Sequence, residues 1–278
     1  MELTVVVPVW GPYVAWLAEC VESIWSQRDE TGLRLVVIDN ASGEPLPALP
    51  AGVEVERLDG RHSLGEARNR GLELTATELV SFCDADDVFP PGYFAFALSR
   101  FTARPDLIAV GARAVALLPD GSERPFPWPS DAGVAASRHR RRLAVRNLLL
   151  EPSLPMGGST FRTGALRRAG GYSDLDFNED RNLSLLLPFL GEVELHSAPS
   201  RRYRIHSDTV SRNAPDDEVV RASFAEGRRR LRRHPDVPLW AKALLPLVWV
   251  HHRRQAVATR RGVYAAQVDA AVGGVTGA

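Results

Sequence analysis

The sequence predicts an α/β fold in which helices flank a Rossmann-like, mostly parallel sheet, with a helical extension at the C-terminal end. Three observations carry this. Short apolar runs of strand length alternate with stretches of helical period from Leu3 to Phe101. The opening run, Leu3 to Val9, is valine-rich and nearly all apolar, as a parallel strand covered on both faces requires. Two later runs end in carboxylates, at Asp39 and at Asp84, and open parallel sheets bind ligands beyond the carboxyl ends of their strands.

Taken in order, Gly11 and Pro12 break the first strand, and Val14, Leu17, Val21 and Ile24 then recur at helical spacing. Leu33 to Ile38 is the second strand and ends in the polar turn Asp39-Asn40-Ala41-Ser42-Gly43; residues 44–52, with three prolines, form a surface loop. Val53 to Leu58 is a third, alternating strand, Ser63 to Thr75 a helix, and Leu79 to Cys83 a fourth strand. Pro91 to Phe101 reads as a helix, and Leu107 to Leu118 as a long strand turning at Pro119-Asp120-Gly121-Ser122. Residues 119–133 form a proline-rich loop, either over a substrate or on the plain surface. The basic run Arg138 to Arg142 leads into a helix ending near Leu150; Met156 to Phe161 is a short strand and Gly164 to Ala169 a helix. A further helix follows Asn178 and runs through Leu190, and Val193 to Ile205 is a strand that stops at His206. Residues 216–234 and 237–258 read as two basic helices, so the main domain spans 1–213 and the extension 214–278.

With 278 residues, 45% of them hydrophobic and 24% charged, the chain can bury a sizeable core. Its formal net charge of zero hides an asymmetry: residues 196–278 hold 15 Lys+Arg against 7 Asp+Glu, and residues 1–195 hold 19 against 27. The acidic part suits a metal; the basic part suits an anionic partner, an anionic membrane face or docking onto the acidic part. Lys242 is the one lysine, an arginine bias of the kind a GC-rich genome produces. Cys20 and Cys83 make no disulfide framework, so a reducing, cytoplasmic compartment is expected. Residues 1–7 lack a charged leader, and the most apolar stretch, Leu239 to Val250, is interrupted by Lys242 and Pro246 and is too short to cross a bilayer. The sequence has no Gly-Lys-Ser/Thr phosphate loop, no zinc-spaced Cys/His cluster and no Gly-x-Ser-x-Gly turn, and no nucleic-acid partner is expected.

The densest chemistry lies at residues 79–91, where a buried strand ends in Asp84, Asp86 and Asp87. Mutual repulsion disfavours that much negative charge in one place unless a cation sits there. Mg²⁺ or Mn²⁺ is the natural relief, because such an ion takes oxygen ligands and keeps part of its shell for a substrate phosphate. The competing reading is an acidic turn before the helix that Pro90, Pro91 and Gly92 introduce.

With these pieces in order, the chain resembles the family 2 glycosyltransferases of GT-A fold over residues 3–213. The carriers are Val7-Pro8-Val9-Trp10, Val37-Ile38-Asp39-Asn40-Ala41-Ser42, Gly65-Glu66-Ala67-Arg68-Asn69-Arg70-Gly71 and the DxD stretch Phe82-Cys83-Asp84-Ala85-Asp86-Asp87. Later come Phe161-Arg162, Gly170-Gly171-Tyr172, Glu179-Asp180 and Tyr203-Arg204-Ile205-His206. Each piece alone is weak; their order and spacing carry the likeness.

The resemblance implies a metal-dependent, inverting transfer of a sugar from a nucleoside diphosphate sugar, UDP or dTDP favoured, to an acceptor hydroxyl. Residues 1–105 would form the nucleotide half and 106–213 the acceptor half. By the same resemblance, Pro8 and Val9 would line the base pocket, and Asp39 would accept the base's ring N–H, or else merely form a turn with Asn40 and Ser42. Arg68 would contact base or phosphate; the alternative is a solvated helix arginine, a role that suits Arg70 better. Asp84 would hold the ribose or the metal, Asp86 would ligate the Mn²⁺ or Mg²⁺ bridging the phosphates, and Asp87 would cap a helix. Asp180 would be the general base, with Glu179 orienting the acceptor or capping the helix; acids also favour a helix's first turn for dipole reasons. His206 would be a third metal ligand or a partly exposed strand-end histidine. Met156-Gly157-Gly158 would floor the acceptor site or pack strand on helix. Two departures stand out: Gly11 replaces the family's usual Asn, and Asp39-Asn40 replaces its usual acidic doublet.

Two rival readings remain at this level. One is a non-catalytic GT-A scaffold that binds nucleotide sugar, for which Gly11 is the hint. The other is a sugar-phosphate nucleotidyltransferase, against which residues 8–16 offer one glycine and no lysine. The acceptor is open among glycan, lipid-linked sugar, peptide and metabolite. Leu239, Trp240, Leu244, Leu245, Val248, Trp249 and His252 alternate with Lys242, Arg253 and Arg254. That pattern fits peripheral contact with the anionic inner face of a membrane, or an apolar stripe of residues 216–258 packed on the catalytic domain or on a second copy in a homodimer.

Overall fold

β1 (Leu3–Val9) is buried along its whole length and lies between β2 (Arg34–Asp39) and β4 (Leu79–Phe82), both parallel to it. This computed structural model describes residues 1–126, 128–150, 152, 154–206, 215–260 and 266. β3 (Glu54–Arg57) adds a fourth parallel strand beside β2. Beyond β4 the direction reverses, because β7 (Thr160–Arg162) runs antiparallel to both β4 and β5 (Leu107–Leu117). β6 (Glu123–Pro125) makes the expected hairpin with β5, closed by hydrogen bonds between Leu118 and Ser122 and between Gly121 and Leu118. The order is β3-β2-β1-β4-β7-β5-β6, with β8 (Glu192–Arg204) also paired to β5, in parallel. Register shifts near Ala112 and Arg113 let the second half of β8 bridge Val88, just past the acidic turn.

On one face, α1 (Val14–Trp25) and α4 (Tyr93–Ala103) bury Leu17, Val21, Ile24, Phe94 and Phe101 against Val5, Val7 and Val9. A short α2 (Arg28–Thr31) ends at Gly32, whose φ of +63° suits a helix stop without a Cβ. On the other face lies α3 (Leu64–Leu74), opened by a capping box in which Ser63 and Glu66 bond each other's backbone. Gly71 of α3 rests on β1, where a Cβ would lie 2.3 Å from Val6 Cγ1. The same face carries α5 (Asp131–Ser137), α6 (Arg140–Leu149), α7 (Thr163–Arg168) and α8 (Glu179–Leu190), and its core joins Val6, Phe82, Phe161, Leu166, Leu183 and Leu187. Pro188 inside α8 has no N–H for the Ser184 carbonyl, and Asn147 Nδ2 donates to that carbonyl instead, at 3.3 Å.

The extension forms α9 (Asp217–Arg233), α10 (Leu239–Ala243) and α11 (Leu245–Arg260). The sequence pattern predicted one helix over 237–258; there are two, and Pro246 falls in the first turn of the second, where its missing N–H costs nothing. Leu231, Val237, Leu245 and Val248 pack on Leu185, Leu186 and Phe189 of α8, so one side of the apolar stripe covers that helix. The other side does not: Leu239 is 84% exposed, and Leu247, Trp249, Val250 and Val257 are exposed too. His252 is buried against Phe224, with its imidazole pushed down to about 2, first by burial and then by Arg181 and Arg228. Among the described residues, no helix is long and apolar enough to cross a membrane.

Candidate active site

The β1 and β2 ends are tied first. Asn40 donates its N–H to the Val9 carbonyl at 2.9 Å and exchanges two hydrogen bonds with the His62 backbone. Asp39, 6% exposed, accepts the Ser42 N–H on Oδ1 at 3.0 Å, so its turn-forming role is real. Its Oδ2 lies 3.9 Å from Arg57 Nε. Pro8 is buried, and Val9 faces the core with Tyr13 and Leu17, with no exposed surface on its side chain. Apolar contact with a base is therefore closed to Val9; the partly buried aromatic at this strand end is Trp10, with the Arg61 guanidinium 4.5 Å over its ring.

At the β4 end the three acids are each held differently. Asp84 accepts Arg68 Nη2 on Oδ1 at 2.5 Å and Arg201 Nη1 on Oδ2 at 3.3 Å. Asp87 is fully buried and accepts Arg201 Nη1 on Oδ2 and the Arg204 N–H on Oδ1 at 3.2 Å. The expectation that Asp87 caps a helix is thus corrected: Gly92, at φ +79°, precedes α4, and Asp87 is turned inward to the last strand. Asp86 Oδ2 meets His206 Nε2 at 3.0 Å, and the His206 ring lies against Trp16 and Tyr13, at 4.3 and 5.8 Å between centroids. Cys20 and Cys83 sit behind the turn with sulfurs 3.7 Å apart, both buried and both near the Asp84 carbonyl.

Arg68, on α3, is 4% exposed and bridges two elements: Nη2 binds Asp84 and Nη1 binds Glu179 Oε1 at the start of α8. Its guanidinium lies 5.4 Å from the Tyr172 ring centroid. It is neither solvated nor directed at open space, whereas Arg70 pairs with Glu56 and Glu73 at the surface. Burial alone would weaken the Arg68 charge, but Asp84 and Glu179 more than offset this and hold its pKa above the usual value. Asp84 is likewise held below its usual range: burial opposes the charge, and Arg68, then Arg201, outweigh it. The Glu179 carboxyl is raised to about 8, first by burial and then by Asp180, with Arg68 pulling the other way. Asp180 is half-buried beside it, accepting its neighbour's Arg181 N–H at 2.6 Å. Asn178 sets the entry to α8 with φ +60°, and its Nδ2 donates a hydrogen bond to Ser223 Oγ at 2.9 Å.

Gly157 and Gly158 pack against this cluster. A Cβ on Gly157 would lie 2.3 Å from Arg201 Nη1 and 3.1 Å from Asp84 Oδ2, and the Gly158 carbonyl accepts the Tyr93 hydroxyl at 2.7 Å. The close approach here is to the Arg201 side chain of β8, rather than the packing of strand on helix that was one expectation for this segment. Sequence reasoning missed Arg201, the inward turn of Asp87 and the bridge through Arg68. The available signal was the density of arginine at Arg201, Arg202 and Arg204 in a chain whose acids gather at residues 84–87.

Asp86 and His206 fit a divalent cation. Their 3.0 Å separation is a hydrogen bond, and it is also the spacing of two adjacent ligands on an octahedral ion with bonds of about 2.1 Å. Asp84 offers less, since both its oxygens face guanidinium groups. Among the described residues no group of three or more His, Cys, Asp or Glu side chains is arranged around an ion, so substrate phosphate and water would complete the shell.

Over residues 4–166 the chain matches the sequence model of Glycosyl transferase family 2. It is 25% identical over 181 residues to the amylovoran biosynthesis glycosyltransferase AmsE of Erwinia amylovora, covering 63% of this chain and 65% of that protein. It is 27% identical over 259 residues to the pre-mycofactocin glycosyltransferase of Mycobacterium tuberculosis, covering 90% of this chain and 52% of that protein. The chain thus spans between half and two thirds of the length of these curated relatives. Its fold is similar to that of S. aureus TarS 1-349 in complex with UDP-GlcNAc, at a TM-score of 0.60 and 16% identity over 84% of this chain and 68% of that one. The matched stretch runs from β1 to α7 and takes in Asp39, Arg68 and the acidic β4 end; the chain belongs to glycosyl transferase family 2.

Proposed function

We propose that this chain is a glycosyltransferase that moves a sugar from a nucleoside diphosphate donor to an acceptor hydroxyl, inverting the anomeric centre. The observation that carries this reading is the Arg68 bridge, which joins the donor-side acid Asp84 to the helix start bearing Glu179 and Asp180. One buried guanidinium thereby fixes the distance between the acid at the leaving group and the base at the acceptor. UDP and dTDP are the favoured donors: the similarly folded TarS has been crystallised with UDP and UDP-GlcNAc, while Asp39 Oδ2 suits the ring N–H that uracil, thymine and guanine all carry and does not select among them.

Asp180, half-buried and beside Glu179, takes the acceptor hydroxyl's proton as that oxygen attacks C1 from the face opposite the diphosphate. Burial and the neighbouring Asp180 raise the Glu179 carboxyl to about 8 against the pull of Arg68, which suits Glu179 to orienting the acceptor. Arg68 and Arg201 fix Asp84, which holds the donor ribose. Asp86 and His206 would hold a divalent cation which, when bound, neutralises charge on the departing diphosphate.

The test is release of nucleoside diphosphate from a panel of nucleotide sugars with Mn²⁺, followed by chromatography. Asp86→Ala is expected to abolish release, and Asp180→Asn to lower kcat by about 10²–10⁴. Release untouched by Asp86→Ala rules the reading out, and donor binding without any release would return the scaffold alternative. For the acceptor, a lipid-linked sugar is favoured by the uncovered apolar side of α10 and α11, where Leu247, Trp249 and Val250 lie among Arg253 and Arg254.

A further inference from the structure

Arg201 lies outside the residues that match the family, yet it touches two of the three carboxylates of the acidic turn. Its side chain is 12% exposed, and its Nη1 touches Asp84 Oδ2 and Asp87 Oδ2 together. The space for its head group exists because residue 157 lacks a side chain, the hypothetical Cβ coming within 2.3 Å of Nη1. Gly158 gives way in the same manner, with its Cβ position 2.9 Å from Arg201 Cδ. Around it the rest of the last strand closes on the turn. Arg202 bridges Val88 through the backbone, Arg204 Nε donates to the Asp86 carbonyl at 2.9 Å, and His206 reaches the Asp86 carboxylate.

We infer that Arg201 is the positioning residue of the donor site: it holds Asp84 and Asp87 as a fixed pair and leaves Asp86, with His206, to face a divalent cation. The inference rests on the donor-site reading above. Its logic is coordination number. Three carboxylates within four positions, left free, would gather around one hard cation and close its shell. A guanidinium whose Nη1 claims one oxygen from each of two of them keeps that shell open for phosphate and water.

The experiment measures Mn²⁺ binding to the full chain by the electron paramagnetic resonance signal of free Mn²⁺, alongside turnover. Asp86→Ala comes first: it is expected to abolish binding, and if binding survives, the donor-site reading fails whatever Arg201 does. Given that loss, Arg201→Gln is expected to bind Mn²⁺ at least fivefold more tightly than the parent while turning over at least tenfold more slowly. Gly157→Ala, which displaces the guanidinium without changing any charged residue, is expected to shift Mn²⁺ affinity in the same direction and serves if Arg201→Gln does not fold. Arg201→Lys is expected to restore the parent affinity but not the parent kcat. Unchanged or weaker Mn²⁺ binding in folded Arg201→Gln or Gly157→Ala would reduce the pair to an ordinary structural ion pair and overturn the inference.

Discussion

At the scale of single residues, the site is a balance of charges in which Asp84, Glu179 and Asp180 compete for Arg68, and Asp84 alone has a second guanidinium. Of these three, Glu179 is the carboxyl pushed upward, to about 8, and this has a measurable sign. Between the ordinary glutamate value of 4.5 and about 8, the folded chain keeps a proton that the unfolded chain has released. Stability conferred by Glu179 is full below that window and is lost as pH rises through it, at a slope of at most about 1.4 kcal/mol per pH unit. Urea midpoints from pH 5 to 8.5 are expected to fall in the parent and to flatten in Glu179→Gln. A parent curve as flat as that of the variant would mean Glu179 is ionised throughout.

At the scale of elements, α3 is held at two close approaches that differ in kind. A Cβ on Gly71 would lie 2.3 Å from a γ-carbon of the Val6 side chain; a Cβ on Gly65 would lie 1.7 Å from the Ser173 carbonyl oxygen, which is backbone and a closer clash. Gly65→Ala is expected to cost about 3 kcal/mol and Gly71→Ala about 1 kcal/mol, since overpacking is partly offset by alanine's helix propensity. Denaturant titration reads both, and the reverse order would show the loop at residue 173 to be the softer contact. The elements themselves were largely legible in the sequence. Leu3–Val9 announced a two-sided strand, and Ser63 with Glu66 announced a helix start. Asp39 and Asp84 were placed at strand ends because each follows an apolar run. β7, three residues long and antiparallel, was too short to show its direction by periodicity. Arg201 was beyond reach for another reason. Which acids it meets depends on a register between β8 and a turn more than a hundred positions away, broken by shifts near Arg113 that no local pattern encodes.

At the scale of the whole molecule, the helical extension is part of the core on one side and unpartnered on the other. The buried side accounts for half of the apolar stripe through Leu245 and Val248 against Leu185 and Phe189. The exposed side, from Leu239 to Val257, is set in a stretch with no acidic residue between Asp236 and Asp269. Flotation with vesicles rich in anionic lipid is expected to carry the full chain upward at low salt, and less so at high salt. Sedimentation unchanged by anionic lipid would instead leave that side for a second copy, visible as a concentration-dependent mass.

The clasp of β8 on the acidic turn also bears on how the molecule comes into being. A ribosome releases Asp84, Asp86 and Asp87 more than a hundred residues before Arg201, Arg204 and His206, so over that interval a nascent chain has only Arg68 of the cations that these acids meet in the fold. In the proposed donor site, His206 and the clasp on Asp84 and Asp87 would be completed only when β8 docks. A half-made polypeptide would therefore lack the groups with which that site is proposed to grip a nucleotide.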